Sequence, residues 1–427
     1  MDFNFNTGEA FALALDNADM QNFADRFFKT RNQIYMDGNS LGLMPKAGEA
    51  ALLSALEDYK TLGIDGWTEA RNPWFYYAEK LGARMSGLVG AMEDEVIVTG
   101  STTVNIHNLL ATFYKPKGRR TKLLMDELNF PSDLYAAEGY LQGQNRPAED
   151  LVRLKSRDGH TLDEDDIITA FTDEVCVAFL PSVLYRSGQL LDMERLTRKA
   201  HEKGILIGFD CCHSVGSVPH KFHQWGVDFA VWCCYKYLNG GPGSSAAIYI
   251  NQRHHSVKPG LPGWFGYHKA RQFDMTQTFE SAGNAGAWQI GTPHIFSMAP
   301  IDGSLQIFQD FGIENVRTKS LHMTAYLMFL IDSLLTRQHG FYIVTPREPE
   351  RRGGHVALAR DSESIRINAC LKKRGVIPDF RFPNIIRLAP IALYNSYHEI
   401  WQVVDILKDI MEKEEYLQME DKRGPVA

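Results

Sequence analysis

Two apolar stretches decide the fold of this chain: Ile205-Leu-Ile-Gly-Phe-Asp210-Cys-Cys-His213 and Asp228-Phe-Ala-Val-Trp-Cys-Cys-Tyr-Lys236-Tyr-Leu-Asn-Gly-Gly. Both are typical of buried strands, and the second runs into a glycine-rich loop. A lysine at such a strand end can be a desolvated amine that forms a Schiff base. An aspartate at the end of the preceding strand can keep a pyridinium nitrogen protonated. Asp210 and Lys236 are therefore the pair that pyridoxal phosphate (PLP) requires.

Each of these polar residues also has an ordinary structural explanation. Lys236 could extend from the strand end into solvent, and Asp210 alone is typical of a turn or a helix cap. His213 alone is typical of a structural histidine whose hydrogen bonds are satisfied. The Asn239-Gly-Gly-Pro-Gly243 loop favours the ligand interpretation, because glycines let the backbone approach a ligand closely.

Alternating strands and helices predict a large α/β domain from about residue 95. The strands are predicted at 95–99, 121–126, 151–154, 175–180, 205–210, 227–232 and 246–250, with helices near 103–113, 131–143, 163–171 and 192–203. Near-continuous apolar strands joined by helices predict a mostly parallel sheet that is covered on both faces. Such sheets bind ligands beyond the carboxyl ends of their strands, where Asp210 and Lys236 both fall.

The pattern changes near residue 300 and predicts a second, smaller α+β domain. Helix-like periodicity over 302–336 is followed by strands at 341–345, 355–359 and 385–388 and by helices near 363–373 and 396–413. We therefore expect an N-terminal segment, 1–45, that packs on the small domain, a large PLP-binding domain, 46–300, and a small C-terminal domain, 301–427. The polar stretch after about Glu414 is expected to fray.

The composition of the 427 residues is ordinary for a soluble globular protein. Apolar residues make up 44% and charged residues 23%, and the net charge is −7 with acids and bases interspersed. No basic stripe suits a nucleic-acid backbone, and no apolar run reaches the ~18 residues that span a membrane. The N-terminus lacks the pattern of a signal peptide, and the cysteines do not form a secreted disulfide pattern. We therefore expect a cytoplasmic protein.

Further polar motifs follow other strands of the predicted sheet. Thr99-Gly-Ser-Thr-Thr103 opens a helix, so its hydroxyls and free N–H groups can bind an anion, although an isolated Ser-Thr-Thr is more often an ordinary cap. In Phe130-Pro-Ser-Asp133, the Phe130 ring could stack on a cofactor and Asp133 could cap a helix or contact that cofactor. The histidines lack zinc spacing, so we expect no metal site, and the nicotinamide, ATP and α/β-hydrolase motifs are absent.

These motifs together resemble kynureninase, a family of fold-type I PLP enzymes with a large, mostly parallel-sheet domain and a smaller α+β domain. The similarity extends over most of the chain. It is carried by Asp37-Gly-Asn39-Ser40-Leu-Gly-Leu, Asn72-Pro-Trp74, Thr103-Val-Asn-Ile-His107, Phe130-Pro-Ser-Asp133, Gly208-Phe-Asp210-Cys-Cys-His213-Ser-Val-Gly216, Trp225-Gly-Val-Asp-Phe-Ala, Trp232-Cys-Cys-Tyr235-Lys236-Tyr-Leu-Asn239, Gly263-Trp-Phe-Gly266 and Arg387-Leu-Ala-Pro-Ile-Ala-Leu-Tyr-Asn395-Ser. The Asp and Lys at the strand ends are common to the whole superfamily. The lysine segment, the Gly-Trp-Phe-Gly element and the Arg387 segment point to this family.

The resemblance implies a role for each residue of the site. The catalytic residues that it implies are Lys236, which forms the Schiff base, Tyr235, and Asp210, which partners the pyridinium nitrogen. The cofactor contacts that it implies are Thr102 and Thr103 at the phosphate, Phe130 over the ring, Asp133, Ser182, His213 and Tyr235 nearby, and Trp264 and Thr292 from a second chain. The substrate contacts that it implies are Arg387 at the α-carboxylate, Trp67, Asn39 and Ser40. Trp67 and Thr292 stand where some members carry His and Asn.

The resemblance implies a homodimer with shared active sites that hydrolyses a small amino acid. The substrate would be L-kynurenine or its 3-hydroxylated form, and the products anthranilate or 3-hydroxyanthranilate, with L-alanine. The sequence does not choose between these substrates, or between a catabolic and a biosynthetic role.

Three other interpretations stay open at this point. A cysteine desulfurase or selenocysteine lyase would need a reactive cysteine on a mobile loop, whereas Cys370 lies in an apparent helix. An aminotransferase would use the same PLP site. A catalytically silent protein with the PLP fold is disfavoured by the presence of both Asp210 and Lys236.

Overall fold

The computed structural model describes residues 4–19, 23–30, 32–335, 337–422 and 424. Residues 1–3, 20–22 and 31 of the predicted N-terminal segment lie outside this described part, as do 336, 423 and 425–427 of the predicted C-terminal domain. The α-helices are α1 Glu9–Ala18, α2 Lys46–Leu62, α3 Gly66–Glu69, α4 Tyr77–Val89, α5 Thr102–Phe113, α6 Pro131–Gly143, α7 Glu164–Thr169, α8 Met193–Glu202, α9 Phe222–Trp225, α10 Ile295–Phe311, α11 Ile313–Leu334, α12 Ser364–Lys373 and α13 Tyr397–Glu412. The strands are β1 Ile34–Tyr35, β2 Val96–Val98, β3 Lys122–Asp126, β4 Leu151–Leu154, β5 Val175–Pro181, β6 Leu206–Asp210, β7 Phe229–Trp232, β8 Ala247–Ile250, β9 Phe341–Ile343, β10 Val356–Arg360, β11 Val376–Ile377, β12 Asp379–Arg381 and β13 Ile385–Leu388.

The predicted parallel sheet forms the core of the larger part of the molecule. Its strands lie in the order β2-β8-β7-β6-β5-β3-β4. Neighbours from β7 to β4 pair in parallel, whereas β8 pairs antiparallel with both β7 and β2. Each strand predicted between residues 95 and 250 begins and ends within two residues of its predicted bounds. The predicted α/β fold class is therefore confirmed.

The central strands are apolar because helices shield both faces of the sheet from water. Every residue of β7 is buried. Gly208 of β6 faces Phe229 of β7, and a Cβ at position 208 would lie 2.0 Å from that ring. Phe113 at the end of α5 stacks on the same Phe229 ring, with 4.6 Å between the ring centroids. A glycine in β6 thus leaves room for an aromatic layer between the sheet and α5.

Helix α10 packs closely against α2 and crosses one predicted domain boundary. A Cβ at Gly303 would lie 2.2 Å from the carbonyl group of Ala47, so the two backbones meet at a glycine. Helix α10 also runs across residue 300, which places that boundary inside a helix. Residues 301–311 therefore continue an element that packs on the large domain. The rest of the domain division stays a prediction.

A second, antiparallel sheet has the strand order β12-β13-β10-β9. The N-terminal segment reaches this part of the chain, because β1 pairs in parallel with β11. The Asp16 carboxylate of α1 accepts hydrogen bonds from the main-chain N–H groups of Tyr397 and His398 at the start of α13. An acidic group at a helix N-terminus satisfies free N–H groups and complements the helix dipole.

The prediction that the chain frays after Glu414 is wrong for the residues up to Met419, which are ordered against the core. Residues Glu415–Gln418 form a short 3₁₀-helix, and Tyr416 is buried in the core. Burial of one aromatic ring is enough to hold this polar segment against the domain.

No helix within the described ranges is long and apolar enough to cross a membrane.

Candidate active site

The carboxyl end of the parallel sheet brings Lys236 and His213 together. His213 lies three residues beyond β6 and Lys236 four residues beyond β7, and Lys236 Nζ is 2.9 Å from His213 Nε2. Burial, and then the charge of Lys236, lowers the pKa of His213 well below its usual value. The imidazole is therefore neutral at physiological pH. A neutral ring nitrogen can accept a hydrogen bond from the ammonium of Lys236.

Asp210 ends β6 beside a second buried acid, Asp133 of α6. Asp210 Oδ1 accepts a hydrogen bond of 2.8 Å from the main-chain N–H of Cys212. Burial, and then the negative charge of Asp210, raises the pKa of Asp133 well above its usual value. The protonated form of Asp133 is therefore favoured, as expected for carboxylates that share a site.

Ser182 supports Asp210 through the main chain. The main-chain N–H of Ser182 donates to the Asp210 carbonyl over 2.8 Å, and Ser182 Oγ donates to the same carbonyl over 3.0 Å. Ser182 Oγ also lies 2.7 Å from Ser214 Oγ. Since Ser182 is fully buried, its hydroxyl fixes the end of β6 between two polar partners.

The start of α5 places the free N–H groups of a helix N-terminus next to a large cavity. Ser101 is the N-cap residue, and its side chain makes no capping hydrogen bond. Thr102 and Thr103 form the first turn, whose N–H groups suit an anion. The cavity, of about 550 Å³, is lined by Thr99, Gly100, Ser101, Thr102, Val104, Asn105, Tyr235, Gly243, Ser244, Ser245, Ile290, Gly291, Thr292, Pro293, His294, Ser297 and Met298. Thr292 lines this cavity on the Thr102 side of its own chain, and its expected contact with the cofactor of a second chain stays a prediction.

Two aromatic side chains face the Lys236 amine. Lys236 Nζ lies 5.8 Å from the ring centroid of Phe130 and 5.9 Å from that of Tyr235. Phe130 caps α6 and is 37% exposed, although it is a large apolar residue. Tyr185 holds it edge-on, with 5.2 Å between the centroids. An exposed ring held in place above an amine can cover a planar cofactor.

Arg387 of β13 lies in a buried network that includes Ser40. Its guanidinium contacts Asp379, donates to the Tyr185 carbonyl over 2.5 Å and donates to Ser40 Oγ over 3.0 Å. Burial lowers the pKa of Arg387 to about 10, so it remains a cation at neutral pH. Asn39, next to Ser40, is fully buried.

The segment with Asn39 and Ser40 is fixed beside the lysine. The main-chain N–H of Gly42 donates to the Tyr235 carbonyl over 2.8 Å. Both polar atoms of the Asn39 amide lack a partner among the described residues. A buried amide without a partner is rare in a native structure and is consistent with a ligand contact.

Trp67 and Trp264 belong to a separate aromatic cluster. The Trp67 and Phe265 centroids are 5.8 Å apart, and those of Trp264 and Phe265 are 5.4 Å apart. Among the described contacts, neither tryptophan has a ring contact or hydrogen bond to Lys236, Asp210 or Arg387. The structure therefore does not bring these two predicted residues into the site of their own chain.

Sequence reasoning missed several polar residues that the tertiary structure adds to the site. They are Tyr185, His355, Asp379 and Arg381. His355 lies just before β10, is fully buried, and has its ring centroid 5.9 Å from that of His213. Of these four residues, only Asp379 lies near a sequence signal. The Phe382-Pro-Asn384 turn pattern predicts a hairpin of two short strands, and Asp379 begins the first of them.

The residues present fit PLP. An amine, a carboxylate at a strand end, a helix N-terminus and a partly exposed aromatic ring surround one region. Buried polar atoms without partners, including His213 Nδ1 and Asp133 Oδ2, lie in the same region. Within the described residues, no group of three or more His, Cys, Asp or Glu side chains is placed to hold a metal ion.

Two solved structures share this architecture. The chain resembles the apo structure of a cysteine desulfurase from Thermococcus onnurineus NA1, with a TM-score of 0.78 and 16% identity, over 92% of this chain and 98% of that one. It also resembles a C-DES mutant with glycine covalently linked to the PLP cofactor, with a TM-score of 0.77 and 15% identity, over 90% and 98%. At these identities the likeness shows the fold alone.

Sequence comparison is more specific. Residues 316–407 match the family described as the kynureninase C-terminal domain. A kynureninase of Bacillus thuringiensis subsp. konkukian (strain 97-27) is 57% identical over 419 residues, which are 98% of this chain and 97% of the relative. A kynureninase of Geobacillus thermodenitrificans (strain NG80-2) is 55% identical over the same shares. With more than half of its residues shared over nearly its whole length, the chain belongs to the kynureninase family, the PLP-dependent hydrolases of carbon–carbon bonds that the motifs indicated.

Proposed function

We propose that this chain hydrolyses the Cβ–Cγ bond of L-kynurenine or 3-hydroxykynurenine, releasing anthranilate or 3-hydroxyanthranilate and L-alanine. The observation that carries the proposal is the convergence of Lys236, Asp210 and Arg387. Lys236 and Asp210 lie at the carboxyl end of the parallel sheet. Arg387 is connected to that end through Tyr185, whose ring contacts the Phe130 that faces the lysine amine. The sequence similarity to kynureninases supports the substrate class.

PLP, when bound, supplies a pyridinium ring that withdraws electron density from the substrate α-carbon. Lys236 would hold the cofactor through its amine, and Asp210 would keep the ring nitrogen protonated. Thr102 and Thr103, with the N–H groups that open α5, would bind the phosphate, and Phe130 would cover the ring. Asp133, Ser182 and His213 would support these contacts, since each touches or flanks Asp210 or Lys236.

Lys236 and Tyr235 are the proposed proton carriers. The freed amine at Lys236 Nζ would take the α-proton of the substrate, and neutral His213 at 2.9 Å would orient that amine. Burial raises the pKa of the Tyr235 phenol well above its usual value, so Tyr235 is a hydrogen-bond donor near the amine. Positioned proton transfer of this kind contributes roughly 10²–10⁴-fold to the rate.

Arg387 would bind the α-carboxylate of the substrate, with Ser40 and Asn39 beside it. Arg387 is charged and shielded from water, so a carboxylate bound there has little competition from solvent. The unpartnered Asn39 amide supports a role in holding a polar group of the substrate. Trp67 would contact the substrate ring, a role that requires a second chain because Trp67 packs on Phe265 in its own.

We propose a homodimer whose two sites are shared. Exposed apolar side chains surround the Gly-Trp-Phe-Gly element, and Trp264 is 47%, Phe273 68% and Met275 68% exposed. A contiguous exposed apolar surface is typical of an interface. A two-fold dimer would bring Trp264 and Trp67 of one chain to the Lys236 of its partner, and Thr292 would remain near the phosphate.

The six free cysteines support a reducing, cytoplasmic location.

The test is a product assay on the purified protein loaded with PLP. We expect stoichiometric aromatic amine, anthranilate or 3-hydroxyanthranilate, and alanine from the two kynurenines. Sulfide from cysteine, or a keto acid without carbon–carbon cleavage, would instead support a desulfurase or an aminotransferase. Lys236→Ala is the matched inactive control, and borohydride reduction followed by peptide mapping should find the pyridoxyl group on Lys236. A label on another lysine would contradict the assignment.

The desulfurase alternative is further disfavoured by Cys370. This cysteine is 1% exposed in α12, and burial raises the pKa of its thiol. A thiol that accepts sulfur from a substrate must be accessible and easily ionised. Cys370 has neither property.

A further inference from the structure

The guanidinium proposed to bind the substrate carboxylate is already bonded to a carboxylate of the protein. Asp379 and Arg387 lie directly opposite each other in the antiparallel pair of β12 and β13. Asp379 Oδ2 accepts a hydrogen bond from Nε of Arg387 and forms an ion pair with Nη2. The Arg387 side chain is 0% and the Asp379 side chain 1% exposed. Water therefore does not compete for this ion pair.

The other N–H groups of Arg387 point away from Asp379. Nη2 donates to Ser40 Oγ, and Nη1 donates to the Tyr185 carbonyl. A guanidinium has five N–H groups, and here one on Nε, two on Nη2 and one on Nη1 have partners. Asp379 thus closes the Nε–Nη2 edge. A carboxylate ligand has to approach on the Nη1 side, where the fifth N–H group has no described partner.

Asp379 also binds a second guanidinium. Arg381 Nε donates to Asp379 Oδ2 over 3.1 Å, and Arg381 Nη2 donates to Ser40 Oγ over 3.3 Å. The two arginines therefore share one carboxylate and one hydroxyl. Because a planar guanidinium with two fixed contacts has a fixed orientation, the shared carboxylate determines the direction that Arg387 faces.

We infer that Asp379 is a positioning residue for the substrate-carboxylate site. This inference rests on the proposed role of Arg387. It adds that Arg387 binds the substrate in a single orientation, because Asp379 occupies the opposite edge of the guanidinium. Without Asp379, Arg387 would be free to turn its Nε–Nη2 edge away from its present direction. The effect should be confined to ligands that carry the α-carboxylate, since Asp379 has no described contact with Lys236, Asp210 or Thr102.

The test compares two ligands that differ in the carboxylate alone. For Asp379→Asn in the PLP-loaded enzyme, we expect the KM of kynurenine to rise roughly 10- to 100-fold, the size of one lost charged contact. The inhibition constant of kynuramine, which is kynurenine without its carboxylate, should change less than about twofold, and kcat should stay within about threefold. Asp332→Asn is the matched control, because Asp332 pairs with Arg347 through two hydrogen bonds on an exposed surface.

Two further variants keep the inference falsifiable. In the Arg387→Lys background, adding Asp379→Asn should change the ratio of KM to the kynuramine constant less than about twofold, because a residue that acts through Arg387 is not additive with it. If Asp379→Asn does not fold, Asp379→Glu keeps the charge, and its extra methylene group pushes the carboxylate against the guanidinium. The same rise in the ratio is then expected.

The outcomes separate this inference from the proposed function. If Arg387→Lys raises the ratio and the Asp379 variants lower only the melting temperature, Asp379 is structural and this inference is overturned, while the role of Arg387 stands. If Arg387→Lys itself leaves the ratio unchanged, Arg387 does not bind the carboxylate, and both proposals are overturned. Equal increases for kynurenine and kynuramine would also overturn the positioning role.

Discussion

Burial controls the charge of the individual residues around Lys236. His213 is neutral because its pKa is lowered by burial beside a cation, and the pKa of Asp133 is raised by burial beside an acid. Arg387 is equally buried but remains charged, since even its lowered pKa of about 10 lies above physiological pH. Among these three buried residues, the one that stays charged is therefore Arg387, which is proposed to bind the substrate carboxylate.

Arg387→Lys should raise the KM of kynurenine by about one to two decades while PLP remains bound. A lysine cannot reproduce the contacts to Asp379, Ser40 and the Tyr185 carbonyl together, because it lacks the planar fork of a guanidinium. The loss of one charged hydrogen bond costs roughly 1.5–3 kcal/mol. Steady-state kinetics and thermal melting on one preparation decide the matter. An unchanged KM with a lower melting temperature would mean that Arg387 has a structural role only.

Asp210→Asn should retain PLP but slow removal of the substrate α-proton. A neutral amide cannot hold the ring nitrogen protonated, and loss of one such electrostatic contact lowers kcat by roughly 10²-fold or more. We expect a larger isotope effect on kcat with α-deuterated kynurenine, because proton removal becomes rate-limiting. Ser214→Ala is a suitable control, since it alters the hydroxyl next to Ser182 and leaves the carboxylate. An unchanged isotope effect together with an unchanged kcat would contradict the role of Asp210.

Among the elements, β7 has a proposed catalytic residue at one end and a buried ion-pair residue at the other. Lys236 follows the carboxyl end, whereas Asp228 precedes the amino end on the far side of the sheet. The Asp228 carboxylate accepts from the Ile207 N–H over 2.8 Å and from Arg253 over 2.8 Å. It also lies 2.9 Å from His201 Nε2 and 2.7 Å from His254 Nε2.

Asp228→Asn should destabilise the large domain by roughly 3–5 kcal/mol at neutral pH, as expected when one partner of a buried ion pair is removed. Burial opposes ionisation of Asp228, but the hydrogen bonds from His201 and His254 and the charge of Arg253 outweigh it and hold the pKa well below its usual range. A lowered carboxyl pKa stabilises the fold above the unfolded-state pKa of ~3.9, and this contribution is lost as the pH falls further.

Thermal melting of the wild type and the variant at pH 7 and at lower pH measures this contribution. The difference between the two proteins should shrink as the pH falls below ~4. Asp173→Asn is the control, because Asp173 and Arg119 form an exposed pair 3.9 Å apart, and it should melt like the wild type. A difference that does not depend on pH would contradict the role of the ionised carboxylate.

In the whole molecule, the residues proposed for one active site form two separate clusters within each chain. Lys236, Asp210 and Arg387 belong to one, and Trp67 and Trp264 meet at Phe265 in the other. A two-fold axis joins such clusters from different chains without any change within the chain. The exposed aromatic surface near Trp264 would be buried in the same contact.

Mixing inactive Lys236→Ala with inactive Trp264→Ala should restore activity if the sites are shared. Random exchange makes half of the dimers mixed, and each mixed dimer contains one intact site, so about a quarter of the wild-type activity is expected. Different affinity tags on the two variants allow the mixed dimer to be isolated and assayed. Lack of activity in an isolated mixed dimer would show that Trp264 serves the site of its own chain.

Local sequence pattern was sufficient to predict the sheet and its two principal site residues. Uninterrupted apolar runs of five to seven residues can be buried only as central strands, and a polar residue that ends such a run lies at the sheet edge. Lys236 and Asp210 were therefore predictable from local pattern. The kynureninase motifs added roles for Phe130, Tyr235 and Arg387, because family similarity extends over the whole chain.

Only the tertiary structure decided which distant residues share one site. Ser40 and Arg387 are 347 positions apart and are joined by a 3.0 Å hydrogen bond, and no periodicity encodes a contact of that kind. The pairing of Asp379 with Arg387 follows from the register of two short strands, which a one-residue shift would abolish. His355 has no motif around it, and its place beside His213 depends on how the small sheet packs on the large one. Local pattern records burial and strand ends, whereas long-range contacts arise from packing between elements.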